Sequence, residues 1–358
     1  MEPQADPKLR ALPTQLIETG DGLILKRGCV EVKVTGEQES EVVRLVFASL
    51  ADEDLTQSQL CESFAETYRP IVADLVQQLL VRRILIYADG SPLPGERSES
   101  PLEIFCWHFG TTAEQMTSGL NQRQIAILGT NRISQQLGLA LAASGMQNFE
   151  IVDYPLLRNL ALVDDQGRVT ADRWPSPLRL PSNYREWAET VRERDIDCLV
   201  ATSDFGGQHL MREWNQFSFE RKVHFLPVVL QDFIGYVGPL VVPGETACYE
   251  CVRARQNANM RDPQNMRAAE YVASEGQHAV GYHPSMASVL GDFAAIELTK
   301  FYSGVLPLWR VGTMIEINLI IPRVDARKVL KIPRCPVCSP FNTTSPTSLK
   351  RSTVDGFA

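Results

Sequence analysis

The chain has 358 residues, 44% hydrophobic and 22% charged, with a formal net charge of −8. That length exceeds one hydrophobic core and implies two or three packed units, and the ordinary globular composition excludes wholesale disorder. The acidic balance argues against nucleic acid as a partner. The charged stretch Met1 to Arg10 is no signal peptide, and no run of about 18 apolar residues follows, so a cytoplasmic protein without a membrane partner is expected.

Thr14 to Glu18, Gly22 to Lys26 and Val30 to Thr35 read as short strands separated by the turn signals Thr19-Gly20-Asp21-Gly22 and Arg27-Gly28. Val30, Val32 and Val34 fall on one face, and Glu31 and Lys33 on the other. Glu41 to Leu50 sets Val42, Leu45, Val46 and Leu50 on one helical face, and Thr56 can cap a second helix running through Phe64. Pro70 opens a third helix, with apolar positions at Ile71, Leu75, Leu79 and Ile84. Three strands followed by three helices predict a winged-helix-like unit over residues 1–88. Residues 89–122 follow as linker and adapter, because Asp89 to Pro101 is rich in Gly, Pro, Ser and Glu.

From residue 123 to 340 the pattern changes to α/β. Gln124 to Leu128, Phe149 to Val152, Ile196 to Ala201 and Val223 to Val229 read as buried strands, with helices over Ser134 to Ser144 and Gln208 to Arg221. The alternation predicts a mostly parallel, doubly wound sheet. Leu156 to Asn183, with Pro175, Pro177 and Pro181, reads as a long, partly mobile surface loop, and residues 341–358 as a disordered Ser/Thr-rich tail.

Cys248-Tyr-Glu-Cys251 and Cys335-Pro-Val-Cys338 are two thiolate knuckles. Together they offer four sulfurs to one tetrahedral ion, which leaves no open position and makes a zinc site structural. Cys29, Cys61, Cys106 and Cys198 stand singly and read as small buried hydrophobes. His108, His209, His224, His278 and His283 are scattered without a catalytic metal spacing, and Ser203 and Ser285 lack the flanking glycines of a hydrolase elbow. No catalytic nucleophile stands out.

Over roughly Arg123 to Ser339 the order of these pieces resembles the ThiF/MoeB superfamily of ubiquitin-activating-like adenylating enzymes. Gln124-Ile-Ala-Ile-Leu-Gly129 resembles the strand entering the nucleotide loop, Phe149-Glu-Ile-Val-Asp153 the strand with the ribose-binding acid, and Val200-Ala-Thr-Ser-Asp204 the strand with the magnesium-binding aspartate. The two knuckles resemble the family's zinc knuckles. The loop Gly129-Thr-Asn-Arg-Ile-Ser134 departs from the pattern: Gly129 alone remains where close backbone approach to phosphates wants several glycines. Gly129, Asp153 and Asp204 therefore read as a vestigial nucleotide site with no ATP expected, and Arg158-Asn-Leu160 as a remnant of the family's Asn-Leu-x-Arg-Gln stretch.

Within the superfamily the chain more closely resembles the ThiF-like partner proteins of YcaO cyclodehydratases, because Leu12 to Tyr87 resembles their PqqD-like precursor-recognition domain. The resemblance implies a leader-peptide-binding scaffold that delivers a ribosomal precursor peptide to a separate YcaO-type enzyme for azoline formation. It leaves a homodimer open. Leader-binding candidates are Val30, Glu31, Val32, Lys33 and Val34 on a free strand edge, with Asp74, Gln77, Gln78, Val81 and Arg82 on one face of the third helix. Arg82-Arg83 and Lys26-Arg27 add a basic edge suited to an acidic leader. The rival expectations are an ATP-dependent peptide-adenylating enzyme and, third, a DNA-binding winged helix fused to a sensor.

Overall fold

The structure is a computed structural model and describes residues 6–88, 100–191, 195–259, 265, 281–306 and 311–340. Residues 89–99 of the expected linker, His278 and the tail 341–358 lie outside the described residues. The chain separates into two units, Met1–Met116 and Thr117–Ala358.

In the first unit the strands are β1 Lys8–Ala11, β2 Gln15–Thr19, β3 Gly22–Arg27 and β4 Val30–Thr35. β2, β3 and β4 form an antiparallel meander with β3 in the middle, so β4 is an edge. The β3–β4 turn is two residues, Gly28 and Cys29, and Gly28 supplies its positive φ of 56°. Leu23 and Leu25 are fully buried, and Val30, Val32 and Val34 pack against the same core from the alternate positions of β4. Three helices follow: α1 Glu37–Asp52, α2 Gln57–Glu62 and α3 Arg69–Val81. Thr56 and Gln59 close a reciprocal capping box at the start of α2.

The apolar face of α3 is Val72, Val76 and Leu79; Ile71, expected inside, is 51% exposed. The expected set Ile71, Leu75, Leu79 steps by four throughout, whereas Val72, Val76 and Leu79 step by four and then three, and it is this second set that turns to the core. The sequence order of three strands and three helices is supplemented by a second small sheet, in which β1 lies between β5 Leu55–Thr56 and β6 Leu85–Tyr87. The buried Arg10 of β1 forks onto Asp54, Nε to Oδ1 at 3.0 Å and Nη2 to Oδ2 at 2.5 Å. The adapter stretch holds α4 Pro101–His108 and α5 Ala113–Asn121.

The second unit is an α/β layer structure. Its strands are β7 Ile125–Leu128, β8 Phe149–Asp153, β9 Ser182–Asn183, β10 Cys198–Ser203, β11 His224–Gln231, β12 Ile234–Val237, β13 Thr313–Asn318 and β14 Arg323–Lys328. They pair in the order β14-β13-β12-β11-β10-β7-β8-β9. The run from β11 to β9 is parallel, and β12, β13 and β14 extend it antiparallel. β7 and β10 are buried at every position, as covered parallel strands must be.

Among the described residues, five helices cover this sheet: α6 Arg132–Ala143, α7 Tyr184–Thr190, α8 Met211–Arg221, α9 Tyr249–Ala258 and α10 Pro284–Tyr302. Ala126, Leu128, Leu199 and Ala201 face the cluster containing Trp187 of α7 and Trp214 of α8. On the other face Gly138 of α6 meets Ile151, and Leu290 of α10 covers Gly235 of β12. α6 and α10 touch backbone to backbone at Gly291, where a Cβ would lie 2.8 Å from the Leu137 nitrogen and 2.9 Å from the Ile133 oxygen. The stretch expected as a long loop after Leu156 carries the 3₁₀ turns Pro155–Leu157 and Leu160–Leu162 and is anchored by buried Leu157, Leu162 and Trp174. Among the described residues no helix is long and apolar enough to cross a membrane.

Candidate functional site

Helix geometry builds half of the cysteine cluster. Cys248 is the N-cap of α9, so Cys251 lies one turn along on the same face. Cys335 and Cys338 follow β14 in a tight turn in which Cys335 N–H donates to Ile332 O and Ser339 N–H to Cys335 O. The four Sγ atoms lie within 4.8 Å of one another. Cys248 is 3.9 Å from Cys251 and 3.5 Å from Cys335, and Cys251 is 3.4 Å from Cys338. These separations are far beyond a disulfide bond. The Ile332 N–H points at Cys251 Sγ from 3.4 Å. Hydrogen bonding among the four sulfurs drives Cys251 toward thiolate and brings Cys335 down to about 6, while it raises Cys248 and Cys338. Four close, mostly buried sulfurs of this kind can hold a metal ion.

The turn from Gly129 into α6 is held by side-chain hydrogen bonds. Gly129 has φ 113°, and a Cβ there would meet Thr202 O at 2.7 Å, so the glycine is needed for packing on β10. Asn131 caps α6: its Oδ1 accepts from Ser134 N–H at 3.1 Å, while its Nδ2 donates to Thr202 O at 2.8 Å. The anion at the helix N-terminus is internal. Asp204, 1% exposed, accepts from Arg132 N–H at 2.9 Å, from Asn159 Nδ2 at 3.0 Å and from the Tyr282 hydroxyl at 2.5 Å. Burial, followed by the charge of Asp204, pushes the Tyr282 hydroxyl upward, which keeps it a donor.

Asp153, at the end of β8, is likewise engaged. Arg158 forks onto it at 2.9 and 2.7 Å, and the Thr130 hydroxyl donates at 2.7 Å. The structure thus brings Gly129, Asp153 and Asp204 to one end of the parallel strands, with Arg158 and Asn159 each on one of the two acids. Tyr282, 78 residues from its partner Asp204, is marked by no motif. A separate cavity of about 480 Å³, lined by Gln208, Gln231, Tyr236, Arg253, Glu316 and Lys328 among others, opens near α9 and was also unmarked by any motif.

The residues expected to hold a leader lie in the first unit. Val30, Glu31, Val32, Lys33 and Val34 form β4, with Glu31 and Lys33 outward. Asp74, Gln77, Gln78, Val81 and Arg82 are all exposed at α3 and its C-cap, with Val81 83% exposed. Gln78 donates to Asp74 at 2.8 Å and Gln77 to Gln57 at 3.0 Å. α1 packs on β3 and β4, and α3 on α2 and β6.

No protein-family model and no curated protein matches the chain. Solved structures do. MccB of E. coli aligns with a TM-score of 0.64 at 17% identity, covering 93% of this chain and 97% of MccB. MccB with AMPCPP and MccA gives 0.66 at 17% identity, covering 92% and 99%. The heterocyclase TruD gives 0.58 at 18% identity over 93% of this chain and 43% of TruD. At these identities the likeness is one of fold: an α/β fold with a mostly parallel sheet, matching the ThiF-like fold of MccB.

Proposed function

We propose that the chain is a non-catalytic, leader-binding scaffold that presents a ribosomal precursor peptide to a separate YcaO-type cyclodehydratase for azoline formation. The observation that carries this reading is the Asp204 carboxylate seated on the N-terminal N–H of α6, where a phosphate would have to lie. Gly129, Asp153 and Asp204 are then remnants of a nucleotide site whose polar groups serve the fold. The likeness to TruD and to a heterocyclase seen with its substrate and cofactor, the latter over 93% of this chain at TM-score 0.56, supports the peptide-modifying setting.

The four cysteines hold a structural zinc ion. With Zn–S bonds of about 2.3 Å a regular tetrahedron has S···S edges of about 3.8 Å, and the Cys248–Cys251, Cys248–Cys335 and Cys251–Cys338 edges run from 3.4 to 3.9 Å. Zinc supplies a crosslink here and no chemistry on the substrate, since four protein sulfurs fill its shell.

The leader adds to the free edge of β4, with the exposed face of α3 as the second wall. Titration of labelled leader peptide against the full chain tests this, with a Kd of about 1 μM, or roughly −8 kcal/mol, expected. Lys33→Pro, which removes a backbone donor on the free edge of β4, since Val30, Val32 and Val34 are the residues hydrogen-bonded to β3, and Arg82→Glu should each weaken binding at unchanged circular dichroism. Unchanged affinity in both variants would move the leader elsewhere. One observation favours the rival adenylating enzyme: the likeness to MccB, whose structures include an ATP complex, spans 93% of this chain and all of MccB. Pyrophosphate exchange separates the two readings.

A further inference from the structure

Cys29 does not behave as the buried hydrophobe its sequence surroundings suggest. It is exposed, because it occupies the second position of the tight β3–β4 turn directly after Gly28. Its sulfur lies 3.2 Å from Nδ1 of His108, the last residue of α4. Arg83 binds the same end of α4: its Nη1 donates to His108 O at 2.8 Å, and Gly110 leaves it room, since a Cβ there would lie 3.0 Å from the guanidinium carbon.

Beside this pair, Arg27 is 4% exposed, and neither Nη1 nor Nη2 has a hydrogen-bond partner. Its guanidinium lies over the Trp107 ring at the outer range of a cation–π contact, with Cζ 6.0 Å from the ring centre, which leaves the two Nη donors without an acceptor. A buried guanidinium with two idle donors is costly unless an anion can form next to it. The charged groups acting on Arg27, after burial itself, are Cys29 and Arg83. Arg83 is a cation, so the sulfur of Cys29 is the group of the two that can supply negative charge.

We propose that Cys29, His108 and Arg27 form a reactive-thiol site for exchange with small disulfides that carry carboxylates. His108 Nδ1 takes the thiol proton, and Arg27 and Arg83 hold the charge that develops on sulfur. The sulfur attacks one sulfur of the disulfide, the S–S bond breaks, and the leaving half departs as thiolate and is protonated. The balance is Cys29–SH plus R–S–S–R giving Cys29–S–S–R plus R–SH, so no further oxidant enters. The carboxylates of the reagent are drawn by the same guanidiniums.

The other thiols are poor competitors. Burial raises Cys61, pushes Cys106 up to about 11 and Cys198 up to about 12, and the remaining four lie in the metal cluster.

The experiment uses the full, metal-loaded chain with 3,3′-dithiodipropionate as the anionic disulfide and bis(2-hydroxyethyl) disulfide as the neutral one, whose leaving thiols are of similar basicity, with modified residues mapped by mass spectrometry. The first equivalent should go to Cys29, about tenfold or more faster than to Cys61, and about tenfold faster with the anionic reagent at low salt. His108→Phe should slow both reagents, while Arg83→Gln should erase the preference for the anionic one; circular dichroism should stay unchanged in both. Reaction first at Cys61 or at a knuckle cysteine, or rates and charge preference unmoved by both substitutions, overturns the proposal.

Discussion

Asp204→Asn tests whether the carboxylate at the start of α6 belongs to the fold. The substitution keeps volume and removes charge from a group that is 1% exposed and receives Arg132 N–H, Asn159 Nδ2 and the Tyr282 hydroxyl. Hydrogen bonds to an ionised group contribute about 1.5–3 kcal/mol each, against about 1 for neutral pairs. A carboxylate at a helix N-terminus adds about 0.3–1 kcal/mol. One amide atom of the new side chain is also a donor, which sets it against Asn159. The expected loss is about 2–4 kcal/mol in the unfolding free energy of the second unit.

Urea unfolding near neutral pH in a Trp107→Phe background, followed by tryptophan fluorescence, reads that unit, in which Trp174, Trp187 and Trp214 are buried. A change below about 0.5 kcal/mol, the scatter of ordinary surface substitutions, would refute the reasoning and mark the acid as one kept for a cation. In parallel, the parent chain should show no pyrophosphate exchange with any peptide. Exchange that disappears in Asp204→Ala would restore the adenylating enzyme.

Elemental analysis should find close to one zinc per chain, and Cys251→Ser or Cys338→Ser should deplete soluble protein, because structural zinc contributes about 10–16 kcal/mol of apparent binding free energy to folding; metal-free protein with unchanged melting would rule the site out. For the first unit, the Arg10 hydrogen bond holds the Asp54 carboxyl below its ordinary 3.8, so this pair's stabilisation is present above that value and is lost as pH falls through the lower folded one. Asp54→Asn should therefore cost about 1.5–3 kcal/mol near neutral pH, with the gap to the parent closing in acid. A gap independent of pH would contradict the assignment.

What could be read from the chain depended on whether burial left a periodic trace. β7 and β10 are apolar runs because both faces are covered, and β4 alternates because one face is. β14, Arg-Val-Asp-Ala-Arg-Lys, is an edge strand with five of its six residues exposed, so its sequence carries no strand signal. β1, β5 and β6 have four, two and three residues, too few for a period to emerge. The cysteine knuckles were legible because ligand chemistry fixes their spacing. Cys29 was misread because its neighbours Val30 and Arg27 are turned inward while the turn itself faces out. Tyr282 and Asn159 were invisible as partners of Asp204, since a hydrogen bond between residues 45 or 78 positions apart leaves no local pattern.

The cysteine cluster also changes the connectivity of the second unit. Each knuckle of one pair meets its counterpart 87 residues away, at Cys248 with Cys335 and at Cys251 with Cys338. With a metal bound, the stretch holding α10, β13 and β14 becomes a closed ring, fastened at both ends by sulfur. Closing a loop of about 100 residues removes roughly 4.7 kcal/mol of chain entropy from the unfolded ensemble. A peptide bond cut anywhere between Cys251 and Cys335 then opens the ring without freeing either piece, because each still ends on the same ion. In that loaded state the integrity of this unit would rest on the ion as much as on the unbroken chain.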